Sequence, residues 1–245
     1  MRNSVFSSCA AGILSLLATQ IHAEESYGNL EDPVVAEVLG TQIRTQDPEE
    51  MQYVIMQKLF ENYALQNNII VSQEDIDIYL AGLDQRMSDD RKERAARKSG
   101  IQQQLETGSV SAEKAKQLQS ELDTLEEMHK IDLEDDREAE QDQEAALKGM
   151  QFVAKAFIKQ WMINKVLYQQ YGGRIIFQQI GPEPLDAIHY YLQEQQQKGG
   201  FKILEKSFEA PFWEYYVTDS KHSFYEQGSE AERQAFDQPW WLQKQ

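Results

Sequence analysis

A chain of 245 residues with 41% hydrophobic content is long enough for one or two domains with ordinary cores. Its 41 acidic against 24 basic residues leave a net charge of -17, which disfavours phosphate backbones and anionic lipid surfaces and argues against nucleic acid as a partner. The single cysteine, Cys9, excludes an intrachain disulfide and leaves the rest of the chain without a thiolate nucleophile or a Cys-ligated metal.

The chain opens with Arg2, the apolar run "VFSSCAAGILSLLA" from Val5 to Ala18, then "TQIHA". A basic residue, a short apolar stretch and a small residue before acidic sequence predict a secretory signal peptide over residues 1–23, cleaved after Ala23. The run is too short to span a bilayer comfortably, so no stable membrane insertion is expected after cleavage. Cys9 stands at the start of the run, where a lipoprotein signal lacks the apolar stretch it needs, so lipidation is not expected. Export without cysteine is compatible with a periplasm, with secretion as the alternative.

In residues 24–83 a short polar stretch precedes "VVAEVLGTQI", residues 34–43, whose alternation predicts a strand and a turn at Gly40. Asp47 and Pro48 form an N-cap and first-turn pair. The helix that follows places Met51, Val54, Ile55, Leu59, Phe60 and Tyr63 on one broad face. "NNIIV" breaks it, and Ser72 with Asp75 caps a second helix carrying Ile76, Tyr79, Leu80 and Leu83.

From 84 to 149 charged and glutamine residues dominate and aromatics vanish. Leu118, Leu122 and Leu125 repeat at four and three residues, the spacing of a narrow coiled-coil seam. "ETGSVS" supplies a turn, and Ser111 an N-cap, so the stretch predicts a helical-hairpin arm, with partial disorder as the alternative.

Residues 150–245 return to apolar periodicity. "MQFVAKAFIKQWMINKVLYQQY" offers Met150, Val153, Ala154, Phe157, Ile158, Trp161 and Tyr168 to a core and ends at Gly172 and Gly173. "RIIF" reads as a short strand, "GPEP" as the start of a helix that runs through "LDAIHYYLQEQQQ", and "FKIL" as another strand. Pro211 and the Ser229 to Glu232 capping box predict two short helices in an aromatic tail.

Motifs of covalent chemistry are missing: there is no dinucleotide fingerprint, phosphate loop, nucleophile elbow or H-E-x-x-H. His129, His189 and His222 have no ligand spacing; a zinc site from His189, His222 and Glu214 is the one arrangement to weigh, and surface or capping histidines are the simpler reading. "DLEDDREAEQD", residues 132–142, lacks the glycine turn and oxygen spacing of a calcium loop and reads as a solvated helix face. No metal and no cofactor are expected. Two apolar sets are candidates for gripping other chains: Met51, Val54, Ile55, Met56, Leu59 and Phe60 on the first helix, and Phe212, Trp213 and Tyr216 in the tail. Both also fit a closed core.

"VVAEVLGTQIRTQDPEE" followed by "VIMQKLFENYALQNNIIVSQEDIDIYLAGL" resembles the N-terminal chaperone domain of the SurA, PrsA and PpiD group of exported foldases. The pattern falls on Val35 to Ile43 with Gly40, Asp47 to Glu50, Lys58, Leu59 and Ala64, Ile69 to Val71, and Ser72 to Asp75, about fifty residues in all. The resemblance implies a discontinuous helical domain interrupted by an inserted module and completed by a returning helix, here 150–171. It also implies that the opening strand pairs with a distant one, "RIIF" or "FKIL". A complete parvulin isomerase module is not expected, since Arg174 stands where its first strand usually begins with histidine and too few residues follow.

The reading is thus a mainly α protein: a discontinuous helical, chaperone-like domain with a few short strands and a protruding helical-hairpin, coiled-coil arm. It would bind unfolded or nascent exported proteins through apolar surface, and a homodimer is compatible with the sequence. The alternatives are a docking partner in an envelope complex that uses the arm, and an enzyme, either isomerase-related or built on His189, His222 and Glu214.

Overall fold

The computed structural model describes residues 26–108, 110–178 and 181–242. The expected signal peptide, with Cys9 and Ala23, lies outside the described residues. The protein is mainly helical with a few short strands. No helix among the described residues is long and apolar enough to cross a membrane.

Strands β1 (Ser26–Tyr27), β2 (Val34–Val38) and β3 (Thr41–Arg44) open the fold. Leu39 and Gly40 both adopt positive φ, 48 and 82°, the two-residue turn whose twist suits an antiparallel hairpin. Val38 pairs with Thr41, and a bulge near Val34 and Ala36 turns both Val35 and Ala36 into the core. On its other edge β2 pairs antiparallel with β6 (Phe201–Ile203), Ala36 opposite Ile203 and Val38 opposite Phe201. The sheet order is β1-β3-β2-β6. Of the two candidate partners for the opening strand, "FKIL" is therefore the one used. "RIIF" instead supplies β4 (Ile176–Gln178), which pairs with β5 (Gly181–Glu183) in a separate hairpin.

Helix α1 (Pro48–Gln66) starts where the Asp47 carboxylate accepts the Glu49 N–H at 2.9 Å. Helix α2 (Gln73–Glu106) starts at a reciprocal box: Asp75 N–H donates to Ser72 Oγ at 3.1 Å, and Ser72 N–H to Asp75 Oδ2 at 2.8 Å. It runs unbroken through residue 84, so the compositional border of the arm is not a break in the chain.

Helices α3 (Ala112–Gln141) and α4 (Gln143–Tyr171) are separated by Asp142 alone, whose carboxylate accepts the Ala145 N–H at 3.0 Å. The returning helix thus begins seven residues before Met150, and the change of composition there marks only where one face of an existing helix meets the body. Gly172, at φ 65°, ends α4.

The arm is α2 folded antiparallel on α3. Its buried apolar contacts, among the described residues, are Ile101, Leu118 and Leu122, with Leu105, Val110 and Leu125 packed beside them. Nearer the body the helices are joined by charged hydrogen bonds: Arg91 forks onto both Asp136 oxygens at 3.0 and 3.0 Å, and Arg94 shares its Nη2 between the two Asp132 oxygens at 2.9 and 3.2 Å. The predicted leucine seam is present for two turns, and ion pairs rather than a sustained heptad repeat hold the remainder.

Helix α5 (Leu185–Gln197) leads into β6, and α6 (Glu209–Val217) and α7 (Glu230–Gln234) punctuate the tail. Two clusters form the body. The larger gathers β2, β3 and α1 with Ile163 and Leu167 of α4, Leu185, Ile188 and Leu192 of α5, and Phe201 and Phe212. The smaller packs Ile76 and Tyr79 of α2 on Ala154, Ile158 and Trp161 of α4, closed by Phe236 and Trp241. Helix α4 contributes to both, so it ties the body together.

Candidate binding groove

On the first apolar set the structure reports a correction. Met51, Val54, Ile55 and Leu59 are buried beneath the sheet, α5 and α6, and present no open surface. The physical reason is that an apolar helix face of this width is covered wherever another apolar layer is available, and residues 185–216 supply that layer. In the tail, Phe212 is buried with its ring 5.2 Å from Phe201, and buried Tyr216 directs its hydroxyl to Met56 Sδ at 3.3 Å. Trp213 is half-buried, 5.4 Å from the His189 ring. Only Met56 and Phe60, of the nine residues, line an open concavity.

That concavity is a groove of about 450 Å³ between α1, α4 and β5. Its size falls within the range of pockets that hold small ligands or side chains, about 300–1,000 Å³. Tyr53, Met56 and Phe60 form the α1 wall; Phe157 and Trp161 form the α4 wall; Pro182 and Ile188 close the end. Helix α1 packs in the larger core, whereas α4 packs in both, with Ile163 and Leu167 in the larger and Ala154, Ile158 and Trp161 in the smaller. Tyr53 is 63% exposed although it is aromatic, and Phe152, one turn before Ala156 on α4, is 77% exposed.

A polar ladder fixes the β5 end. Gln160 Nε2 donates to Asn164 Oδ1 at 2.8 Å, and the buried Asn164 donates through Nδ2 to the Pro182 carbonyl at 3.3 Å. Glu183 follows, with both carboxylate oxygens 3.1 Å from the Tyr215 hydroxyl, which accepts from Gln178 Nε2 at 2.7 Å. Burial pushes the Glu183 carboxyl above the usual range, although the Tyr215 and Gln178 hydrogen bonds and the nearby His222 pull the other way.

No local sequence pattern marks Asn164, Pro182 and Glu183 as groove residues, because their place depends on the docking of β5 against α4. Phe157 and Trp161, whose spacing predicts core positions, pack in the smaller cluster and also face the groove. Helical periodicity identifies a buried face but not its open margin.

The histidines do not assemble into a site. His222 Nε2 lies 2.6 Å from the Tyr215 carbonyl and donates to it, Glu214 pairs with Lys221 at 2.7 Å, and His189 lies near Gln193 at 3.1 Å. Burial lowers the His189 pKa, with Asp186 opposing. Among the described residues no three His, Cys, Asp or Glu side chains gather to hold a metal ion. The strands from "RIIF" and "FKIL", β4 and β6, sit in different sheets. The groove thus presents apolar walls with a few polar groups at its β5 end.

Comparison of the chain with known protein families, with curated proteins and with solved structures gives no match.

Proposed function

We propose that this chain is an exported, chaperone-type protein that holds apolar segments of unfolded or nascent proteins in the α1–α4 groove, without covalent chemistry. The observation that carries the reading is the groove, an open concavity walled by Tyr53, Met56, Phe60, Phe157 and Trp161. Apolar side chains left facing water are stabilised by any apolar segment that covers them. Two or three client side chains buried at about 1.5–3 kcal/mol each, less the cost of ordering, give weak and reversible attachment suited to transient holding.

The resemblance of residues 34–83 to the foldase group supports the same reading, as does the closure of the helical body by β2 on a strand more than a hundred residues away. The proposed compartment is the periplasm, from the N-terminal signal pattern ending at Ala23. In this reading the charged arm is a solvated clamp or spacer.

The test uses the mature chain, wild type and with Tyr53→Asp plus Ala156→Asp, two groove positions that are exposed and outside the cores. Light scattering by a denatured client diluted into buffer should be suppressed by the wild type, and the double variant should lose most of that effect. Equal suppression by both proteins, or none by either, would remove the proposal.

A further inference from the structure

We infer that the groove selects apolar segments that carry carboxylates, recognised by a lysine rail on α4. The inference rests on the proposal that the groove binds peptide segments, and adds the chemistry of what it takes.

The chain is strongly acidic, yet α4 reverses that balance: it holds Lys148, Lys155, Lys159 and Lys165 against the single acid Glu144. Lys148 is paired with Glu144 at 2.6 Å, and Lys165 lies 4.9 Å over the Trp161 ring. Lys155 and Lys159 have no ion-pair partner among the described residues. Lys159 lines the groove, and Lys155 lies one turn earlier, beside the exposed Phe152 and the groove residue Ala156. On the arm, by contrast, Arg91, Arg94, Arg97 and Lys98 all pair across the two helices.

Two unpaired cations beside an apolar trough complement a segment whose apolar residues are flanked by carboxylates. The opposing wall does not cancel them. Glu61 is the one exposed acid in the lining, and Glu183 is held by Tyr215 with its charged form disfavoured by burial. The overall negative charge works against acidic clients at long range, but at physiological ionic strength screening limits that field to about 8 Å. Within that distance the rail decides. Exposed charge contacts are individually weak, so two together favour an acidic segment by roughly three- to tenfold.

The experiment measures fluorescence anisotropy of three labelled peptides on the mature protein, identical in their apolar core and flanked by Glu, Gln or Lys. The Glu peptide should bind roughly three- to tenfold tighter than the Gln peptide, with the Lys peptide weakest. In Lys155→Gln plus Lys159→Gln the Gln peptide should keep its affinity while the Glu preference disappears. If the three peptides bind the wild type alike, or the preference survives in the double variant, the lysine rail is wrong and the apolar groove stands. If no peptide binds the wild type, the groove proposal falls and this inference with it.

Discussion

Val38 faces Phe201 across the β2–β6 pair, and both side chains are buried in the larger core. That single pairing joins the start of the described chain to a segment beyond the arm and the returning helix. Phe201 also packs its ring 5.2 Å from Phe212, so it links the sheet to α6. Phe201→Ala should therefore cost about 3–5 kcal/mol, as truncation of a buried aromatic does. Urea unfolding followed by far-UV dichroism measures it, and a loss below about 1 kcal/mol would mean that the strand pair is not what closes the body.

Arg174 grips Asp186 with two side-chain hydrogen bonds at 3.0 Å and reaches Asp219 at 2.7 Å, while its backbone N–H donates to Asp186 at 2.8 Å. Burial alone would raise the Asp186 carboxyl, but these bonds overcome it and hold the group below the usual carboxylate range. Stability from the pair is thus present above the ordinary carboxylate pKa and lost as pH falls through the lowered value. Arg174→Lys keeps the charge but not the planar fork, and is expected to cost about 1 kcal/mol because the guanidinium is partly exposed. The gap between variant and wild type, measured at pH 7 and again near pH 3, should narrow at the lower pH.

Glu183 has the opposite sign. Its folded pKa is raised, so the native state holds the proton more tightly than the unfolded chain. Its contribution is most favourable below about pH 4.3, the unfolded value, and is lost as pH rises through the folded one. Glu183→Gln removes that dependence while keeping an acceptor for Tyr215. Relative to wild type, the variant should gain stability as pH rises from about the unfolded carboxyl value through the raised folded one, and level off above it. A constant difference across that range would show that Glu183 is ionised normally in the folded protein.

The arm's apolar cluster shares no residue with the two clusters of the body. Arg91 and Asp136 are hydrogen-bonded across the helix pair, so a short Gly/Ser loop replacing residues 92–135 bridges a small gap. The shortened protein should lose helical dichroism in proportion to the residues removed, with its melting temperature within about 4 °C of the wild type. A collapse of the body on shortening would show that the arm is part of the folding unit.

Local order was legible in the sequence because it depends on neighbours. The Asp47–Pro48 start, the Ser72–Asp75 box, the Leu39–Gly40 turn and the Gly172 stop are each decided within four residues, and each is found where the pattern places it. The mainly helical class follows from the same periodicities. Composition was less reliable as a guide to boundaries: α2 passes through residue 84 and α4 begins before Met150, because a helix continues wherever its backbone bonds can, whatever its solvent face carries.

Covering was decided by the tertiary structure alone. Met51, Val54, Ile55 and Leu59 have the pattern of a binding face and of a core face equally, and only the return of residues 185–216 onto α1 buries them. The groove lies between α1, α4 and β5, and brings Tyr53, Phe157 and Glu183 to one place from three distant segments. A periodic pattern records that a face avoids water; which element covers it, and where cover stops, depends on long-range packing that no local stretch encodes.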